Sequence, residues 1–170
     1  RYARHWFDVA RYAESNGYER DDAKPGAWRY RDYVINALNA DRPFDRFLTE
    51  QIAGDELPDA TPETRIATTF LRLGTWDDEP ADDLVDRYDQ LDDVMGTVAT
   101  AFMGVTLRCA RCHDHTFDRF SQVEYYRMLA VFEPLTRPQI GRAEYEWPVC
   151  SPKEFDDRKL DFDRRAGRRG

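Results

Sequence analysis

The chain has 170 residues, of which 41% are hydrophobic and 14% aromatic, so it can bury a core and has the size of one domain. Its formal net charge of −8 argues against nucleic acid or an anionic membrane as a partner, because both favour basic surfaces. No apolar stretch reaches the length of a membrane span, and no signal peptide is visible at Arg1. The chain opens inside a predicted helix, which indicates a piece of a longer precursor.

Helical spacing recurs along the first half of the chain, where almost no stretch alternates as a strand would. The opening helix is predicted to end at Asn16-Gly17 and to bury a stripe made of Tyr2, Trp6, Val9, Ala10 and Ala13. After a loop, the apolar face of a second helix is Tyr30, Val34, Ala37 and Leu38. Pro43 in the first turn predicts a short third helix with Phe44, Phe47 and Leu48. A proline after a capping threonine predicts a fourth helix from Thr61-Pro62 to about Leu71.

The fifth predicted helix has the clearest pattern, because its apolar residues alternate steps of four and three: Leu84, Tyr88, Leu91, Met95, Val98, Phe102 and Val105. Carboxylates that favour the positive end of the helix dipole crowd its first half: Asp82, Asp83, Asp86, Asp89, Asp92 and Asp93. A capping box, Ser121 with Glu124, opens a last helix, which carries Tyr125, Met128, Leu129 and Phe132. The sequence therefore predicts an all-α single domain of five to six helices with long loops over residues 1–135, and an irregular extension or linker over residues 136–170.

One motif, Cys109-Ala110-Arg111-Cys112-His113, follows directly after the apolar stripe of the fifth predicted helix and indicates a chemistry. Two cysteines three apart lie on one face of a helical turn, which is the spacing of a covalent attachment site for haem c. Each sulfur would reach one vinyl group of the porphyrin, and His113 would ligate the iron. The alternatives are a buried thiol pair, a redox dithiol and a zinc half-site. The adjacency of Cys112 and His113 favours haem, because a zinc half-site does not explain it.

Two further histidines are candidate site residues. His115 lies too close to His113 along the chain to reach the opposite face of a porphyrin, so we expect it to orient a propionate or to cap the turn. His5, on the first helix, would suit the sixth iron ligand. The alternative is a core histidine that a carboxylate such as Asp8 satisfies.

The sequence does not decide which residue would occupy the sixth coordination position of the iron. Met103 and Met128 are alternative sixth ligands, and an open position would favour ligand or peroxide chemistry. Cys150 has no intrachain partner if haem holds the other two cysteines. The acidic residues Asp77-Asp78-Glu79 and Asp82-Asp83 could bind calcium, but they lack the EF-hand spacing and favour a solvated face.

Several separated motifs, in this order, resemble the planctomycete-type cytochrome c domain, a module of large secreted bacterial proteins. They are Arg4-His5-Trp6-Phe7-Asp8, Ser15-Asn16-Gly17-Tyr18-Glu19, Trp28-Arg29-Tyr30, Pro43-Phe44-Asp45, Gln51-Ile52-Ala53-Gly54-Asp55, Cys109 to His115 and Ser121 to Tyr126. The resemblance implies a haem-binding domain without a settled reaction. After Cys-His-Asp-His the family usually continues with Lys-Tyr-Asp-Pro, whereas this chain has Thr116-Phe117-Asp118-Arg119.

These observations predict a module that binds one covalent haem c and transfers electrons within a larger exported protein, periplasmic or extracellular, because thioether attachment takes place outside the cytoplasm. Its partner is expected to be a redox protein or a neighbouring domain of the same polypeptide. One alternative is a structural zinc module that uses Cys109, Cys112 and His115 with His5 or Cys150. Another is an accessory domain of a secreted enzyme with an open haem face.

Overall fold

The computed structural model describes residues 1–24, 26–77 and 79–135, and the regular secondary structure of these ranges is helical. The α-helices are α1 (Tyr2–Val9), α2 (Ala27–Asn39), α3 (Phe44–Ala53), α4 (Pro62–Ala67), α5 (Asp83–Val98) and α6 (Gln122–Phe132). A 3₁₀ helix (Thr68–Arg72) continues α4, a π-helical turn (Ala99–Met103) continues α5, and a second 3₁₀ helix spans Leu107–Arg111. These ranges hold one isolated bridge, Ser15 with Ala23, and no named strand. The all-α prediction is confirmed.

Trp6 ties the first helix to the aromatic core. Its indole Nε1 donates to the hydroxyl of Tyr30 at 2.9 Å and to Oε1 of Gln51 at 3.1 Å. The ring meets Phe47 edge-on at 4.9 Å and stacks on Phe102 at 6.1 Å, measured between centroids. One side chain of α1 therefore contacts α2, α3 and the π turn after α5, and its polar atom is satisfied inside the core.

The first helix is shorter than predicted and buries a narrower face. It ends at Val9, and Arg11 has a left-handed φ of 59°, so the helical spacing does not continue to Ala13. Ala10 is buried and Trp6 partly buried, whereas Tyr2 is 80% exposed and Val9 and Ala13 are also exposed. The predicted five-residue stripe is wrong at those three positions, because the helix stops before its last turn and begins at the surface.

The middle helices follow their local signals. Three of the four predicted residues of α2 are buried, and only Leu38 is exposed. Pro43 is the cap residue before α3 rather than a residue of its first turn, and Phe44 is exposed. Thr61 caps α4 as predicted, since its hydroxyl accepts a hydrogen bond from the backbone N–H of Thr64 at 3.2 Å.

The fifth helix buries only its second half. Leu91, Met95 and Val98 are buried, while Leu84 and Tyr88 are exposed at the surface. The helix does not lead straight into the cysteine motif, because the π turn follows Val98 and Gly104 then adopts a left-handed φ of 68°. The motif therefore lies on a separate turn.

The last helix is capped as predicted. The hydroxyl of Ser121 accepts from the N–H of Glu124 at 3.3 Å, and the Glu124 carboxylate accepts from the N–H of Ser121 at 2.7 Å. Tyr125, Leu129 and Phe132 are buried against the core. Within the described ranges, none of the helices has the length and apolar character needed to cross a bilayer. The predicted C-terminal extension, with Cys150, lies outside the described residues.

Candidate functional site

The cysteine motif forms a 3₁₀ turn, and this geometry brings the two thiols to one face. In a 3₁₀ helix residues three apart eclipse one another, which aligns Cys109 with Cys112, the residue that ends the turn. Both thiols are free and exposed. Leu107 and Ala110 occupy the buried face of the same turn. With Leu107 and Ala110 buried, the cysteines lie on a face of the turn that is exposed to solvent.

His113 follows the turn with an exposed ring. Its Nδ1 lies 2.7 Å from the backbone oxygen of Asp114, which can only accept a hydrogen bond. Because the carbonyl oxygen only accepts, the proton is assigned to Nδ1, and Nε2 carries the lone pair. A carbonyl bound to one ring nitrogen is the usual partner that orients a metal-binding histidine. Asp114 is held in turn, because its Oδ1 accepts from the N–H of Gln122 at 2.8 Å.

His115 has a different environment, because the loop uses both of its ring nitrogens. Nδ1 accepts from the backbone N–H groups of Phe117 at 3.2 Å and Asp118 at 2.8 Å, and Nε2 lies 3.2 Å from the hydroxyl of Thr106. The side chain is only 4% exposed. These contacts are the turn-capping role that we expected as one of two possibilities, whereas orientation of a propionate stays a prediction.

A buried carboxylate, Asp92 of α5, anchors the turn from inside. It is 2% exposed, and its Oδ2 accepts from both Nε and an Nη of Arg108 at 2.8 Å. An Nη of Arg111 lies 3.7 Å from the same oxygen, and the hydroxyl of Tyr125 donates to Oδ1 at 2.5 Å. Burial and the hydrogen bond to Asp92 raise the pKa of the Tyr125 phenol, so it remains a donor at neutral pH.

Two smaller features complete this anchor. Gly96, one turn after Asp92, leaves space for the arginine stem: a Cβ there would stand 2.3 Å from Cγ and Cδ of Arg108. From α6, the Nε2 of Gln122 donates to the backbone oxygen of Arg111 at 2.9 Å. Arg111 also donates to Asp89 at 2.6 Å, and this hydrogen bond raises its pKa. Two helices therefore hold the motif through side chains that are not part of it.

The sequence placed Asp92 among the residues that favour the helix dipole, and that interpretation is wrong for it. Asp92 lies in the second half of α5, is buried and is paired with arginine. A signal was available: Asp92 falls three residues before Met95, a spacing that places the two residues on one side of the helix, and Met95 is buried. A carboxylate at such a position requires a buried partner.

The candidate sixth ligands stay predictions. His5 is exposed on α1, so the alternative of a core histidine is wrong, but its ligand role is untested. Met103 is exposed, and Met128 is partly buried against the core.

The zinc alternative lacks support within the described ranges. They hold no group of three or more histidine, cysteine or acidic residues arranged for a metal ion. The hydrogen bonds of His115 further disfavour it as the third ligand beside the two cysteines. In the acidic segment before α5, Asp82 caps the helix and Glu79 pairs with Arg20.

Comparison with known families adds one finding. Residues 1–137 match the family described as PSCyt2, protein of unknown function (DUF1549). The chain belongs to this planctomycete-type, cytochrome-like domain family. No curated protein and no solved structure matches it. The resemblance stated from the motifs is thereby confirmed for the family, whose description names neither cofactor nor reaction.

In this PSCyt2 domain, residues 116–119 belong to the loop that His115 closes. The two N–H groups that His115 accepts belong to Phe117 and Asp118, so backbone atoms supply this contact. The ring of Phe117 is 93% exposed. The loop is therefore closed by its own backbone and carries an uncovered aromatic ring.

Proposed function

We propose that this PSCyt2 domain binds one haem c covalently and transfers electrons within a larger exported protein. The observation that carries the proposal is the joint presentation of three groups: two exposed thiols on one 3₁₀ face and, next to them, a histidine whose Nε2 is free. No other described part of the chain combines these groups.

The residues present fit the cofactor. Cys109 and Cys112 would hold the porphyrin, and His113 would ligate the iron through Nε2, with the Asp114 carbonyl fixing its ring. When bound, haem supplies a one-electron couple whose potential depends on its ligands and surroundings. The chain supplies a supported turn and an apolar ring, Phe117, on the adjoining loop.

The experiment is production of the domain with the haem-attachment machinery, followed by an absorption spectrum and by denaturing electrophoresis with haem staining. The parent protein is expected to give a stained band that survives denaturation. Cys109→Ala with Cys112→Ala should abolish the stain, whereas Cys150→Ala should retain it. An unstained parent band together with stoichiometric zinc by elemental analysis would overturn the proposal.

We further propose that His5 would supply the sixth ligand of the bound iron beside the ligation by His113. Bis-histidine ligation gives a low-spin iron without a methionine-sulfur band. His5→Ala should then give a high-spin spectrum and rapid carbon monoxide binding, while Met103→Ala and Met128→Ala change neither. A low-spin His5→Ala protein would transfer the role to another residue. A parent that is already high-spin would favour the accessory domain of an enzyme over simple electron transfer.

A further inference from the structure

Each cysteine of the motif is directly preceded by an arginine, and both arginines contact the same buried carboxylate. Arg108 precedes Cys109 and makes two 2.8 Å contacts with Asp92. Arg111 precedes Cys112, with a nitrogen 3.7 Å from that carboxylate. The pairing repeats at the three-residue period of the turn, so the two arginines share a face as the cysteines do.

The three faces of the turn are geometrically linked. With three residues per turn, each residue is rotated by about 120° from the one before it. One face, with Leu107 and Ala110, is buried, and the arginine face meets Asp92. Fixing these two faces fixes the third, because the turn cannot rotate about its axis without breaking the arginine contacts. The third face carries the thiols.

Asp92 is a strong anchor because its buried carboxylate cannot replace its arginine partners with water. At 2% exposure water does not reach this carboxylate, so loss of its arginine partners would leave an unpaired buried charge at a large free-energy cost. Gly96 adds a steric condition, since the stem of Arg108 lies where a Cβ of residue 96 would stand. The contact therefore depends on one charge and on one missing methyl group, both on α5.

We propose that Asp92 is a positioning residue: it holds the attachment turn so that both thiols and His113 are presented outward before the cofactor arrives. This inference rests on the proposed function only for its haem readout. The partners of Asp92 are Arg108, Arg111 and Tyr125, so it acts on the turn through the arginines. The ordering of the turn in the cofactor-free protein is a property of the chain alone.

The experiment compares Asp92→Asn with Glu50→Gln, which removes the charge of a carboxylate of the same burial in another part of the fold. The first measurement is hydrogen–deuterium exchange of the reduced, cofactor-free proteins. In Asp92→Asn, exchange should accelerate locally across residues 107–113, by about tenfold at the Cys109 N–H, which donates to the Thr106 oxygen at 3.2 Å. Glu50→Gln should leave that segment protected as in the parent.

Gly96→Ala keeps the test decisive if Asp92→Asn does not fold. Alanine is the better helix former, so the helix is preserved while Arg108 is displaced. It should also accelerate exchange across residues 107–113.

The second measurement is the fraction of folded protein that carries covalent haem, which should fall about tenfold in Asp92→Asn and Gly96→Ala and stay at the parent level in Glu50→Gln. Parent-like exchange at the turn in both site variants would overturn the proposal. If exchange is accelerated at the turn in these variants but the parent protein never takes up haem, the positioning role is retained and the proposed function is rejected.

Discussion

Two buried carboxylates in this molecule are built alike. Glu50 of α3 and Asp92 of α5 are each 2% exposed, and each is contacted by one tyrosine hydroxyl and two arginines. The partners of Glu50 are Tyr33 at 2.8 Å, Arg46 at 2.7 Å and Arg42. Tyr125, Arg108 and Arg111 are the partners of Asp92.

The two clusters differ in the structural elements that carry their arginines. Arg42 and Arg46 lie immediately before and within α3, so the Glu50 cluster closes the packing of neighbouring helices. Arg108 and Arg111 belong to a turn that leaves α5 and carries exposed cysteines. The same chemical unit therefore stabilises the fold in one region and seats a motif in the other. Burial and pairing alone do not tell a structural cluster from one that supports a site.

The largest expected effect is on stability, and it comes from a change in the Glu50 cluster that should leave haem loading unchanged. Glu50→Gln removes the negative charge from between Arg42 and Arg46 and should lower the free energy of unfolding by about 3 kcal/mol, measured by urea denaturation. Although burial opposes it, hydrogen bonds from Arg46, Tyr33 and Arg42 lower the pKa of Glu50. Its contribution is therefore present above the unfolded value and is lost as pH falls through the folded pKa, and Glu50→Gln should flatten this acid limb. Reduced haem loading per folded molecule in this variant would break the comparison.

The tyrosines give a matched pair with a smaller effect. Tyr33→Phe and Tyr125→Phe each remove one hydroxyl that donates to a buried carboxylate, at 2.8 Å and 2.5 Å respectively. Each should cost about 2 kcal/mol of unfolding free energy, as for hydrogen bonds to charged groups. Only Tyr125→Phe should also lower the haem-stained fraction. Equal haem loading in the two variants would show that the Asp92 cluster tolerates the loss of one partner.

The smallest expected effect concerns a half-buried charge outside both clusters. The ammonium of Lys24 donates to the backbone oxygens of Leu73 at 3.0 Å and Gly74 at 2.8 Å. Burial, followed by repulsion from Arg11 and Arg72, lowers its pKa from 10.5 to about 8. The unfolded chain therefore binds more protons between these values, and unfolding free energy should rise with pH. The slope should stay below the limit of about 1.4 kcal/mol per pH unit, because solvent screens this half-buried charge.

This rise should be visible from pH 8 to about pH 9.5, because above about pH 10 the buried tyrosines reverse the slope. The pKa of Tyr30 is raised mainly by burial, so its stabilising contribution is lost once the unfolded phenol ionises. Lys24→Met should abolish the rise in pH-dependent urea denaturation. An identical slope in the variant would assign the rise to another group.

The parts of the fold that were predictable are those encoded locally. Thr61 and Ser121 mark helix starts because a capping hydroxyl needs only the next three residues. The end of α1 was misplaced because it depends on a left-handed backbone at Arg11, which its residue type does not signal. At the site, the motif named the thiols and His113. The anchoring role of Asp92 was missed because its partner, Arg108, lies on a different element, although its spacing from Met95 indicated burial.

Gly104, between α5 and the motif, is required for its left-handed backbone conformation and not for its small size. Its φ is 68°, and no heavy atom lies within 4 Å of the place where a Cβ would stand. Bulk is therefore tolerated at this position and chirality is not, because only the left-handed backbone is strained for an L-residue. A D-alanine there would adopt the observed conformation without strain and would restrict the unfolded chain. The direction in which the thiols leave the helical body thus depends on one position that lacks a chiral centre.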